Sequence, residues 1–437
     1  MMRLAIVLAL YSFNAIYAPN QASIALTLPV LILVLVGLGK IRSPNLQIGD
    51  MFWFCVFIFF AISPLQRMGD GTIGGDWTVT RHAYDAAEYI TAMAIVVVFL
   101  LPFGFISMEA KDPDTTTATP PAEWMLALNI LAFSLFVVLQ GGWQQVLLPR
   151  LDKTWSEASA LSEAFLALQT VTTAVLVANA RAAGRTWSLV TLVAVAIGLL
   201  AITRNPFNAS RFSLLAAWVP VGLAMLRGRL QAAWFYAVAL FALLVLFPIL
   251  SITTRLGLVG LGQVEDIDFA DNLLSTPFVD IFDTTVHAVR FMSTHDWMLG
   301  EKLLAVGLFF VPRALWPNKP IVGGLDIGGD LLNGGMAGTD NLSFFIGADA
   351  YMDFGFVGVV MGGLLLALFT AQASASRLGS FYGVSLLHAV IIASLPIMLR
   401  GPVGAVLPLA ACQIVILIIL SRTEWRQPLP EPAGDRL

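Results

Sequence analysis

The chain has 437 residues, 58% hydrophobic and 12% charged, where a soluble domain carries roughly 25% charged residues. Its mean hydropathy of +0.82 and net charge of −4 exclude an ordinary soluble enzyme and argue against a nucleic-acid partner, which would need a basic face. Cys55 and Cys412 both sit in apolar runs and give no basis for a disulfide framework or a cysteine metal site.

A helix needs about 20 mostly apolar residues to cross a bilayer. In chain order, the runs that qualify are 4–18, 22–39, 50–64, 88–106, 124–140, 160–180, 187–202, 212–226, 231–250, 354–372, 382–399 and 402–420. The first could pass for a secretory signal. Cleavage after Ala18 would put Pro19 at the cut, however, and no A-x-A pattern is present, so it reads as a retained first helix. The expected fold class is an all-α polytopic membrane protein with about twelve transmembrane helices. It divides into a bundle of about nine helices over 1–250, a large loop over 251–353, about three helices over 354–420, and a tail over 421–437 that reads as disordered.

Basic residues orient this map. Lys40/Arg42, Lys111, Arg181/Arg185, Arg227/Arg229 and Arg377 fall in short connections on one side, so the positive-inside rule places both termini in the cytoplasm. The total of Lys and Arg divides evenly between the sides and decides nothing; the density in short loops does. The run Leu303–Val311 is too short to span before Pro312, and reads as a surface or re-entrant segment covered by protein or water. The 251–353 loop then lies outside. Within it, residues 269–293 carry Phe278, Ile281, Phe282, Thr285, Val289 and Met292 at near-helical spacing, with Asp280, Asp283, His287 and Arg290 on other faces. That pattern predicts an interfacial amphipathic helix, either a cover over a site or a structural brace.

Candidate chemistry gathers on the outer side, and the cytoplasmic side has no glycine-rich phosphate loop. Arg204 and Arg211 flank the short connection RNPFNASR, Arg400 caps the outer turn LRGP, and Arg313, Trp316 and Lys319 sit in FFVPRALWPNKP. Prolines 312, 317 and 320 make that last segment rigid and non-helical. Single arginines at helix ends commonly snorkel to headgroups. A set of them on rigid backbone suits the anionic head of a lipid-linked pyrophosphate, because guanidinium grips phosphate as a planar fork. No metal site is expected: His82, His287, His295 and His388 form no i,i+4 pair, and the DID at Asp266–Asp268 is too common a triplet to carry one. Transfer to a sugar hydroxyl wants a general base, for which Asp326, Asp330, His287 and Asp353 are the nearest groups.

VPRALWPNKP (311–320) followed by FFIGADAYMDFGFVGVV (344–360) resembles bacterial O-antigen and related oligosaccharide repeat-unit polymerases of the Wzy type. The similarity is concentrated over 305–360 and is architectural elsewhere. It implies a GT-C-like inner-membrane enzyme that needs no metal or cofactor. Such an enzyme transfers a growing glycan from undecaprenyl pyrophosphate to the terminal sugar of an incoming lipid-linked repeat, at the periplasmic face and with inversion. Its partners would be the lipid-linked donor and acceptor, the membrane and a separate chain-length regulator. Motif carry-over assigns Arg313, Trp316 and Lys319 to the proline segment, Tyr351 and Gly355 to a Tyr/Phe-Gly helix start, and Arg204 and Arg211 to the preceding outer turn. Asp353 departs from the polar residue expected there, and the resemblance names no base. Two other readings share the plan: an O-antigen ligase, which would lean on a loop histidine, and a flippase or transporter for lipid-linked sugars. A transporter would carry ionisable residues within its spans and show repeat symmetry, and the spans read as almost charge-free.

Overall fold

The computed structural model describes residues 1–17, 21–68, 85–110, 120–148, 159–182, 186–226, 229–256, 262, 279–308, 311, 315–320, 324–334, 342–376, 379–381, 384–401 and 403–423. Each apolar run identified in the sequence falls on a helix. In order these are α1 (Met2–Ile16), α2 (Gln21–Gly39), α3 (Ile48–Phe57, continuing through a π turn at Ile58–Ile62 into Ser63–Arg67), α4 (Ala86–Leu100), α5 (Ala122–Leu139), the short α6 (Trp143–Leu147), α7 (Ser159–Ala182), α8 (Trp187–Thr203), α9 (Arg211–Met225) and α10 (Ala232–Phe241, continuing through a π turn into Phe247–Leu256). Beyond the loop come α11 (Ile281–Met292), α12 (Glu301–Gly307), α13 (Gly324–Asn333), α14 (Ile346–Ala375), α15 (Leu386–Arg400) and α16 (Val403–Arg422). Ser380–Phe381 and Val384–Ser385 form a minimal hairpin that delays α15 to Leu386, four residues after its apolar run begins.

The protein is an all-α membrane protein in which seven helices among the described residues are long and apolar enough to cross a bilayer; five shorter apolar helices, α1, α8, α9, α15 and part of α16, accompany them. The core forms around α3, with 94% of its apolar window buried. Local sequence starts these helices cleanly. Asp50 and Gln47 form a capping box on α3, Glu88 and Asp85 another on α4, and Ser210 caps α9 by accepting the Ser213 N–H. Aromatic packing then ties the C-terminal helices to this core: Phe345, at the cap of α14, lies 4.7 Å from the Phe60 ring centroid and 5.0 Å from that of Phe99.

The element that positions the site is α14. The sequence places a helix start at Phe354, but the helix already begins at Ile346 and is broken where the start was expected. Phe354 leaves helical geometry, and Gly355 takes φ 60°, ψ −147°, a conformation open essentially to glycine. The chain bends so sharply that a Cβ on Gly358 would stand 2.1 Å from the Ala350 carbonyl oxygen, a residue eight positions back. A break frees backbone carbonyls, and where they are buried these must be re-satisfied. Met352 and Asp353 offer theirs to the N–H groups of Met298 and Leu299, each at 3.1 Å, which fastens the 279–308 stretch onto α14.

One expectation about the large loop changes. α11, read from the sequence as interfacial, is a buried strut, which suits a brace rather than a cover: nine of its twelve residues are buried, including Asp283 and His287, which the spacing puts off the apolar face. Burial is tolerable because its polar side chains find partners, Arg290 on Glu88 and His287 on Asp330. The sequence reading of 269–278 as the start of this helix lies outside the described residues. The seven-residue α12 (Glu301–Gly307) takes up only the start of the Leu303–Val311 run and is far short of a span, in line with the sequence.

Candidate functional site

Two charged clusters meet at one end of the bundle, on opposite sides of α15. The first is built from arginines. Arg204, at the C-terminal end of α8, donates from Nη2 to both carboxylate oxygens of Glu163 on α7, at 3.0 and 2.9 Å. Arg211, the first residue of α9, lies 5.6 Å over the Phe247 ring and donates to the Phe247 carbonyl at 3.5 Å. Arg400, the last residue of α15, lies 4.9 Å over the ring of Phe212. The two phenylalanines themselves meet edge to face at 5.8 Å. Arg400 also pairs with Asp280 at 3.2 Å, yet its buried Nε has no acceptor among the described residues. Burial pushes the Asp280 carboxyl up, but the Arg400 guanidinium and Ser343 outweigh it and hold the group below the ordinary carboxylate value.

Beneath this arginine head lies an apolar cavity of about 200 Å³ among α3, α9, α10 and α15. Phe212 and Phe247 belong to its wall, and Phe59, Val219, Ile392 and Pro396 continue it. The guanidiniums therefore stand on the rings that close one end of a hydrophobic cavity, with the stacking that Arg, rather than Lys, favours.

The second cluster is acidic. Asp353, on the first half of α14, accepts the N–H groups of Lys302 at 3.1 Å and Leu303 at 2.8 Å, so it caps α12. The Lys302 ammonium pairs with Asp326 of α13. Burial lowers the Lys302 pKa, against the pull of Asp349, Asp353 and Glu301. Asp349, one turn before Asp353, is 6% exposed, and neither carboxylate oxygen has a hydrogen-bond partner among the described residues. Lys302, Asp349 and Asp353 form the charged end of a second apolar groove, of about 430 Å³, that runs along α14 past Val357, Met361 and Phe369. Met398 of α15 touches this groove, whereas Ile392 and Pro396 line the other cavity. The clusters are joined by backbone: the Arg400 carbonyl accepts the Phe344 N–H at 2.8 Å, and the Phe345 carbonyl accepts that of Asp349 at 3.1 Å.

Of the residues singled out in the sequence, Arg204, Arg211 and Arg400 come to the same end of the bundle, and Asp326 joins the Lys302 cluster. His287 Nε2 meets Asp330 Oδ2 at 2.8 Å, away from both cavities' walls. Lys319 donates to the carbonyls of Leu308 and Val311, folding the proline turn back on the end of α12. Trp316 is half-buried on that turn. Tyr351 packs edge-on against Trp297 at 5.4 Å and Phe356 at 5.5 Å, beside the α14 break. Arg313 lies outside the described residues. Sequence reading missed Glu163, Lys302 and Asp349. For Asp349 a signal was present: Asp349 and Asp353 are acids four apart in an otherwise apolar helix, where like charges on one face cost stability unless something needs them. Among the described residues, no cluster of His, Cys, Asp and Glu side chains is placed to hold a metal ion. No protein-family model, no curated protein and no solved structure matches the chain.

Proposed function

We propose that this chain is a membrane glycosyltransferase that polymerises lipid-linked oligosaccharide repeat units, moving the growing glycan from undecaprenyl pyrophosphate to the terminal sugar of an incoming lipid-linked repeat. The observation that carries this reading is the apolar cavity under Phe212 and Phe247, headed by Arg211 and Arg400. Such a site suits the head and the first part of the tail of an anionic lipid, and a polyprenyl diphosphate has both. The buried Nε of Arg400, without an acceptor among the described residues, supplies a donor for the head. When the diphosphate leaves, fixed cations stabilise the charge that develops on it. The resemblance of 311–320 and 344–360 to repeat-unit polymerases points the same way.

In this reading the five shorter apolar helices span as well, twelve in all, in a GT-C-like plan. The arginine end faces the periplasm of a bacterial inner membrane, and the reaction inverts without a metal. The test is deletion of the gene followed by electrophoresis of the surface glycan. A polymerase deletion leaves surface lipid with a single repeat. A ligase deletion would leave polymer on its carrier, a flippase deletion would export almost nothing, and either pattern would replace this proposal.

A further inference from the structure

A glycosyl transfer of this kind needs a group to take the proton from the attacking hydroxyl, and among the described residues the carboxylates of the arginine head, Glu163 and Asp280, are each paired with an arginine. Across α15, the helices α13 and α14 carry four carboxyl groups that could be considered, and three are committed. Asp326 is paired with Lys302, Asp330 with the buried His287, and both oxygens of Asp353 hold backbone N–H groups of α12. Asp349 is different. It is 6% exposed, lines the α14 groove, and neither oxygen has a hydrogen-bond partner among the described residues. A buried carboxylate left in that state costs stability, so its presence asks for a reason. The charge balance also separates the two clusters. Among the described residues, Arg204, Arg211 and Arg400 face Glu163 and Asp280 at one, a surplus of cations; Lys302 faces Glu301, Asp326, Asp349 and Asp353 at the other, a surplus of acids. A diphosphate is favoured at the first and repelled at the second.

We infer that Asp349 is the proton acceptor of the transfer, and that the space beside it receives the hydroxyl end of the acceptor glycan. This inference rests on the polymerase reading. The acceptor oxygen forms a bond to the anomeric carbon of the donor while the bond from that carbon to the diphosphate oxygen breaks. The electron pair leaves on the diphosphate at the arginine head, and the hydroxyl proton passes to the Asp349 carboxylate. Asp353 is a positioning residue: by capping α12 it holds Lys302 beside Asp349. The groove, about 430 Å³, falls within the ~300–1,000 Å³ range of small-molecule sites.

The experiment uses the full chain in vesicles of phosphatidylethanolamine and phosphatidylglycerol. Its probe is the polyprenyl-diphosphate-linked single repeat extracted from a strain deleted for this gene, and lengthening is followed by electrophoresis. Asp349→Asn and Asp349→Ala should extend the glycan at least ~100-fold more slowly than the wild type, the usual minimum for a lost base. The rates are compared at equal amounts of folded protein, because removing Asp349 also takes a countercharge from the buried Lys302. Sodium formate should restore Asp349→Ala at least tenfold and leave Asp349→Asn unchanged, since only the alanine variant has room for a carboxylate from solution. Wild-type rates in either variant, or no effect of formate, would overturn the role of Asp349 while leaving the polymerase reading standing. No lengthening by the wild type itself would overturn that reading and this inference with it.

Discussion

Arg211 and Arg400 come from helices far apart in sequence, yet each covers one of two phenylalanines that touch. Stacking on a ring orients a guanidinium and leaves its edge for an anion, a geometry an ammonium cannot copy. Arg400→Lys should therefore keep the charge beside Asp280 and still lose most chain extension, measured by the glycan ladder in a complemented deletion strain. Arg211→Ala should abolish extension while the protein accumulates normally. Normal ladders from both would return these residues to headgroup anchoring. Asp280 carries a pH prediction. Its carboxyl is held below the ordinary value of 3.8, so the Arg400 pair contributes full stability above that value and loses it as pH falls through the depressed folded value. Asp280→Asn should lower stability at pH 7 by about 3 kcal/mol, the low end for breaking a buried pair. Melting curves should show that deficit shrinking only below pH 3.8.

At the scale of elements, the break in α14 decides where Asp349 and Asp353 stand. Gly355→Ala forces a side chain into a conformation that costs on the order of 1–3 kcal/mol. Gly358→Ala drives a methyl group into the Ala350 carbonyl. Both variants should melt lower than the wild type and extend the glycan more slowly, because straightening α14 would withdraw Met352 and Asp353 from Met298, Leu299 and α12. A variant with unchanged melting and activity would show that the break is incidental. At the other end of the bundle, Arg3 of α1 donates to Asp50 at 2.5 and 3.0 Å and to the carbonyls of Ser43 and Asn45. Asp50→Asn strands that guanidinium and should cost about 3–5 kcal/mol, read as a lower melting temperature with the sugar chemistry intact in the surviving protein.

Over the whole molecule, the apolar runs anticipated the helices well, because a bilayer demands about 20 apolar residues and tolerates little else. The tight turn between Arg204 and Arg211 and the place of Arg400 at the same end of the bundle were also readable, since arginines at helix ends stand out against apolar neighbours. The buried strut at Ile281–Met292 was not. Its polar residues look like a solvent face in one dimension, and only long-range partners such as Glu88 and Asp330, each beyond the helix itself, make burial possible. For Asp349 the sequence shows only a pair of acids four apart in an apolar helix. Nothing local separates it from Asp353; what does is that α12 fills the oxygens of one and not the other.

In the proposed function this chain joins lipid-linked glycans by itself, at an arginine-headed membrane cavity. Purified wild-type protein in vesicles, given only polyprenyl-diphosphate-linked single repeats, tests it most directly. The account predicts a ladder of lengthened lipid-linked glycan, with free polyprenyl diphosphate released at each step and no requirement for nucleotide-sugar or ATP. Repeats that stay single, or that lengthen only when nucleotide-sugar is added, would contradict it.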